Sequence, residues 1–132
     1  MLTMMRLARE REKLRVVSDQ AGCPTWSRMI AETTALALKQ VVAARDWGAF
    51  TGTYHLASSG VTSWHGFAQA IIALMPEEGK KCATVEAIST AEYPTPTRRP
   101  AYSVLGCDKL ERTFGLRLPH WEESLKQVLE AG

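Results

Sequence analysis

Apolar residues recur along this chain with two alternating periods, and the places where the period changes mark out its elements. Met1, Met4, Met5 and Ala8 fall at i, i+3, i+4 and i+7, while Arg6, Arg9, Glu10, Arg11 and Glu12 take the other side. That spacing predicts an amphipathic first helix, which needs a partner surface. Leu14 to Ser18 has the β-branched character of a short strand and runs into the turn chemistry of Asp19-Gln20-Ala21-Gly22-Cys23-Pro24. Thr25 or Ser27 is placed to cap the next helix, on which Ile30, Thr34, Ala37, Leu38, Val41 and Val42 keep a helical stripe to about Arg45. Gly52 to Ala57 reads as a strand, and Thr62 or Ser63 caps a helix carrying Phe67, Ala68, Ile71, Ile72 and Met75 that Pro76 stops. Thr84 to Ile88 and Tyr102 to Leu105 read as further strands. Asp108 is placed to cap a brief helix through Phe114, with Gly115 as its stop. A last helix from about His120 sets Trp121, Leu125, Val128 and Leu129 on one face.

Between the last two strands the pattern breaks. Tyr93-Pro94-Thr95-Pro96-Thr97-Arg98-Arg99-Pro100 has three prolines in seven residues, which fix φ near −65° and push the preceding residues out of the α region. The segment should be a stiff, extended arm. Arg98 and Arg99 sit side by side between prolines, and each guanidinium is a rigid fork of donors matched to two oxygens of a phosphate or carboxylate. Either the arm is an anion site or its arginines pair with local carboxylates.

Composition narrows the classes. At 132 residues the chain is one domain's worth, able to bury roughly two thirds of its unfolded surface. Sixteen basic against 14 acidic residues leave a net charge of +2, too balanced for a nucleic-acid binder. No apolar run approaches the roughly 20 residues that span a bilayer, and the N-terminal stretch is not a signal peptide, so no membrane partner and a cytoplasmic location are expected. Cys23, Cys82 and Cys107 have neither zinc spacing nor an even number, and read as free thiols with no metal.

Candidate chemistry is sparse. His55, His65 and His120 have no carboxylate or serine constellation in the sequence around them and read as structural, although His65 could line a cleft at a strand-to-helix crossing. The turn before the second helix is better equipped: Gly22 permits close backbone approach, and Gln20 offers a donor and an acceptor to a sugar or pyrimidine edge. The same turn is also explained as a connection capped by Thr25, and Trp26 could stack on a base or pack under the helix.

Three stretches together carry a family resemblance. Tyr93-Pro94-Thr95-Pro96-x-Arg98-Arg99-Pro100-Ala101-Tyr102-Ser103-Val104-Leu105, Asp19-Gln20-x-Gly22-x-Pro24-Thr25-Trp26 and Gly52-Thr53-Tyr54-His55-Leu56 resemble the C-terminal part of the dTDP-4-dehydrorhamnose reductases, which are extended short-chain reductases. The chain departs from that pattern at Ser18 and Cys23. The resemblance implies a mixed α/β fold of about five helices and four short strands, with residues 1–132 forming a single substrate-binding lobe and the Rossmann lobe missing. It implies a dTDP-sugar ligand, with Arg98 and Arg99 at the diphosphate and Gln20, Pro24, Thr25 and Tyr93 around the nucleotide and sugar.

NADPH or NADH would be held by the missing lobe, and none is expected on this chain. Its glycines never form a Gly-x-Gly-x-x-Gly turn. No catalytic residue is assigned either, because Tyr54, Tyr93 and Tyr102 are followed four positions later by Ser58, Thr97 and Gly106, so the family's Tyr-x-x-x-Lys pair is absent. Two other readings stay open: the lobe of another nucleotide-sugar epimerase or reductase, and a non-catalytic regulatory binding module. A strand and a helix face left without the missing sheet predict a homo-oligomer.

Overall fold

The computed structural model describes residues 1–130. In chain order its elements are α1 (Leu2–Glu10), β1 (Lys13–Val17), β2 (Ala21–Gly22), α2 (Ser27–Ala44), β3 (Thr62–Ser63), α3 (Trp64–Leu74), β4 (Thr84–Ile88), α4 (Asp108–Phe114) and α5 (Trp121–Glu130), with single 3₁₀ turns at Gly48–Phe50 and Thr90–Glu92. The mixed α/β class, five helices and four short strands agree with expectation. The described residues gather into two compact units, the first from Met1–Gly22, Val61–Val104 and residues 129–130, the second from Cys23–Gly60 and Leu105–Val128.

In the first unit β1 and β4 pair in parallel, Lys13 opposite Thr84 through Val17 opposite Ile88. Alternation turns Leu14 and Val16 inward and Lys13 and Arg15 outward. The inward face meets α3, whose Ala68, Ile71 and Ile72 are buried, and α1 packs on α3 through Ala8. Outside, Lys13 and Arg15 straddle Glu86 across the strands, with nitrogen–oxygen distances of 2.8 and 3.6 Å. Such exposed pairs are screened by solvent and add little to stability. Ser63 caps α3 by accepting from the Gly66 N–H at 3.1 Å, as its sequence position predicts.

The second unit is built around Val41, Leu110 and Phe114, with Ala37, Phe50, Tyr54, Leu56 and Leu116 packed against them. The Phe114 ring lies 5.4 Å from Phe50 and 5.2 Å from Tyr54, centroid to centroid. Gln40 Nε2 donates to the Phe114 carbonyl at 2.9 Å, and Gly115 closes α4 in the left-handed region with its N–H on Glu111 O. The stripe anticipated on α2 splits: Ala37 and Val41 enter this core, whereas Ile30, Leu38 and Val42 stay exposed.

Five expectations need correction, the first being the cap of α4: Cys107 takes that position with no side-chain bond, and Asp108 is the first residue of the helix. Gly52 to Ala57 forms no strand, because no ladder partner for it exists among the described residues and a backbone without one cannot build a sheet. Tyr102 to Leu105 is likewise irregular: it makes one bridge, Tyr102 with Ala21, and pairing ends there. The strands that do form, β2 and β3, pair Ala21 with Ser63 and Gly22 with Thr62, within segments read as turn and cap. Neither Thr25 nor Ser27 caps α2; Trp26 occupies that position with no side-chain bond, since the Thr25 hydroxyl is engaged elsewhere.

Candidate functional site

The proline arm is a loop whose two ends are fastened to one short segment, Ser18–Gly22. At its root, Ser18 N–H donates to Ile88 O at 2.9 Å, and the Asp19 carboxylate accepts from Thr90 N–H at 2.9 Å and from the Thr90 hydroxyl at 2.6 Å. At its exit, Ala21 N–H donates to Ala101 O at 2.8 Å and Ser103 N–H to Ala21 O at 2.9 Å. Gly22 packs closely there: a Cβ would stand 2.9 Å from Ser103 Oγ and would force that hydroxyl to shift from its bond to Ala21 O.

The root is stiffened further by a capping box, in which Ser89 and Glu92 exchange side-chain and backbone contacts, and by Arg15 Nη2 on Glu92 Oε1 at 2.9 Å. Hydrogen bonds from Ser89 hold the Glu92 carboxyl below its ordinary range, and the Thr90 hydroxyl and amide do the same for Asp19.

From this anchored base residues 91–100 all project into solvent. Tyr93 is 60% exposed. Neither Arg98 nor Arg99 pairs with a carboxylate among the described residues, so the local ion pairs weighed against an anion site are not formed. Gln20, half-buried in the same unit, donates through Nε2 to Thr90 Oγ1 at 3.0 Å. The first unit therefore gathers Gln20 with the base of the arm that carries Tyr93, Arg98 and Arg99.

Pro24 and Thr25 belong to the second unit. Thr25 Oγ1 donates to Cys23 O at 3.0 Å and accepts from Ser58 N–H at 3.1 Å, which commits the hydroxyl to holding the loop. Cys23 donates its thiol to Gly60 O at 2.8 Å; burial, then the neighbouring Cys107, push its pKa up, so it stays a protonated thiol. Gly60 has φ 83°, and any Cβ there would collide with the His120 ring. The Arg28 guanidinium lies 5.6 Å over the Trp26 ring. All three cysteines are free.

Two of the three histidines contact backbone groups. His65 Nε2 contacts Val85 O at 3.1 Å, His120 Nδ1 accepts from Glu122 N–H at 3.4 Å, and His55 is exposed. Sequence reasoning missed Thr90, which ties Asp19 to Gln20 through contacts about 70 residues apart that no local spacing signals.

No set of histidine, cysteine or carboxylate residues among those described could hold a metal ion, and no helix is long and apolar enough to cross a membrane. At the strand-to-helix junction from β3 to α3 the Gly66 N–H is already taken by Ser63 Oγ at 3.1 Å, so this junction does not offer that N–H to a pyrophosphate.

Comparison with known proteins bears on all of this. Residues 1–132 match the family model described as the RmlD substrate binding domain. A dTDP-4-dehydrorhamnose reductase from Burkholderia thailandensis is 49% identical over 124 residues, covering 90% of this chain and 42% of the relative. The crystal structure of such a reductase from Clostridium acetobutylicum superposes with a TM-score of 0.81 at 34% identity, covering 98% of this chain and 42% of that one. One from Bacillus anthracis, solved in complex with NADP, gives 0.77 at 30% identity, covering 99% and 42%. The chain thus spans about 42% of the length of the relatives it matches. By sequence across its whole length and by fold, this chain belongs to the RmlD substrate binding domain family.

Proposed function

We propose that residues 1–132 are the substrate-binding lobe of a reductase that converts dTDP-4-dehydro-L-rhamnose to dTDP-L-rhamnose. The chain holds the dTDP-sugar, and NADPH or NADH is held by length outside it. The observation that carries this reading is the arm fastened at both ends to Ser18–Gly22, presenting two unpaired guanidiniums from a prepaid backbone geometry. A pre-ordered anion clamp loses little entropy on binding, and paired arginine forks suit a diphosphate. Gln20, Pro24, Thr25 and Tyr93 complete the ligand contacts; Thr25 does so through its backbone and methyl, its hydroxyl being engaged. Three free thiols fit the reducing cytoplasm.

The chain supplies no cofactor cradle and no proton donor, so it is inactive alone and recognises substrate for a catalytic site completed elsewhere. Without that remaining length the exposed apolar residues of α2 are covered by a second copy of the chain, giving a homo-oligomer.

The test is the affinity of the longer enzyme for dTDP. Arg98→Ala and Arg99→Ala should each weaken it by about 10- to 100-fold, the range of a charge-assisted contact. Unchanged dissociation constants for both would remove the arm from the ligand site.

A further inference from the structure

Asp19, Thr90 and Gln20 form a hydrogen-bonded chain whose proton positions are fixed by valence. Thr90 Oγ1 lies 2.6 Å from Asp19 Oδ1, and an ionised carboxylate only accepts, so the one hydroxyl proton of Thr90 points at Asp19. The Thr90 main-chain N–H donates to the same carboxylate at 2.9 and 3.0 Å, which favours its charged form. With its proton committed, Thr90 Oγ1 has only lone pairs to offer Gln20 at 3.0 Å. The carboxamide must therefore turn Nε2 toward Thr90. Its Oε1 makes no hydrogen bond with any described residue. A side-chain amide free to turn over presents a donor or an acceptor at the same place, but this one is set.

We propose that Thr90, held by Asp19, is a positioning residue that fixes Gln20 with Oε1 outward, so that this position selects a ligand group that donates a hydrogen bond. The inference rests on the reading of Gln20 as a nucleotide-sugar contact. Three parts of such a ligand donate: the imide N–H of thymine, the 3′-hydroxyl of the deoxyribose and the hydroxyls of the appended sugar. An acceptor held in place discriminates because a ligand lacking the donor leaves it desolvated and unpaired.

The experiment measures dissociation constants of the full chain by calorimetry for three ligand pairs: dTDP against its N3-methyl derivative, dTDP against its 3′-O-methyl derivative, and dTDP-L-rhamnose against the form O-methylated on the rhamnose. The wild-type chain should bind the donor-bearing member of one pair about tenfold tighter, and the pair that shows this tells base, deoxyribose and appended sugar apart. Thr90→Val and Asp19→Asn each free the amide to turn over and should bring that ratio to about one, while Thr90→Ser should retain it. Asp19→Asn carries the test by itself if Thr90→Val does not fold.

A merely structural Thr90 would weaken both members equally and leave the ratio intact, which would overturn the inference. Wild-type binding without preference would overturn it too, leaving Gln20 as a contact. No binding of any of these ligands at millimolar concentration would overturn both the inference and the reading on which it rests.

Discussion

Arg98 and Arg99 are the residues on which the proposed recognition turns, and their setting differs from that of an ordinary surface charge. Their neighbours Pro96 and Pro100 restrict the backbone, and no carboxylate of the described chain competes for them. Lysine at either position keeps the charge but not the fork, so Arg98→Lys and Arg99→Lys should recover only a minor part of the dTDP affinity lost with alanine. Recovery to the wild-type dissociation constant would show that charge alone suffices.

The carboxylates at the arm's root predict a pH dependence. Asp19 and Glu92 have folded-state pKa values below those of the unfolded chain, so their contribution is fully present above the ordinary carboxylate range and is lost as pH falls through the lowered values. Resistance to denaturant should therefore decline between about pH 5 and pH 3, with a shallower decline in Asp19→Asn. An identical slope in that variant would contradict the role given to Asp19.

Elements whose apolar residues share one face were legible in the sequence. Met4, Met5 and Ala8 mark α1, Ile71 and Ile72 mark α3, and Trp121 with Leu125 marks α5, because helical periodicity survives any detail of packing. The strands β1 and β4 were legible instead from short runs with β-branched residues, Val16 and Val17 in one and Thr84, Val85 and Ile88 in the other. The two-residue strands β2 and β3 carry no period to read, and the segment from Gly52 to Ala57 has strand composition without a partner, so pairing rather than propensity decided its state.

Of the candidate site, the arginine arm and Gln20 could be named from residue chemistry. Thr90 could not, since its importance lies in a contact 71 residues away with Asp19. Gly60 is a second case: with φ 83° and the His120 ring in the way of a side chain, Gly60→Ala should destabilise the chain by about 1–3 kcal/mol in a denaturant titration. A loss under about 0.5 kcal/mol, the usual range for a surface substitution, would mean that the loop relaxes freely.

At the scale of the whole molecule, a chain spanning about 42% of its relatives' length is proposed to serve recognition, and its sequence contains neither a Gly-x-Gly-x-x-Gly turn nor a Tyr-x-x-x-Lys pair. Two outcomes are expected of the isolated chain. It should not oxidise NADPH above background with the dTDP-ketosugar, because it has neither a dinucleotide cradle nor a tyrosine–lysine pair. It should also associate at about 100 μM through the uncovered apolar residues Ile30, Leu38 and Val42 of α2. Light scattering of a monomer at that concentration would rule the association out.

The central claim, that this chain is where a dTDP-sugar is recognised, is tested most directly by titrating the isotope-labelled chain with dTDP-L-rhamnose and following its amide resonances. Saturable shifts centred on Gln20, Thr25, Tyr93, Arg98 and Arg99 are predicted. Shifts confined to other residues, or none at millimolar ligand, would contradict it.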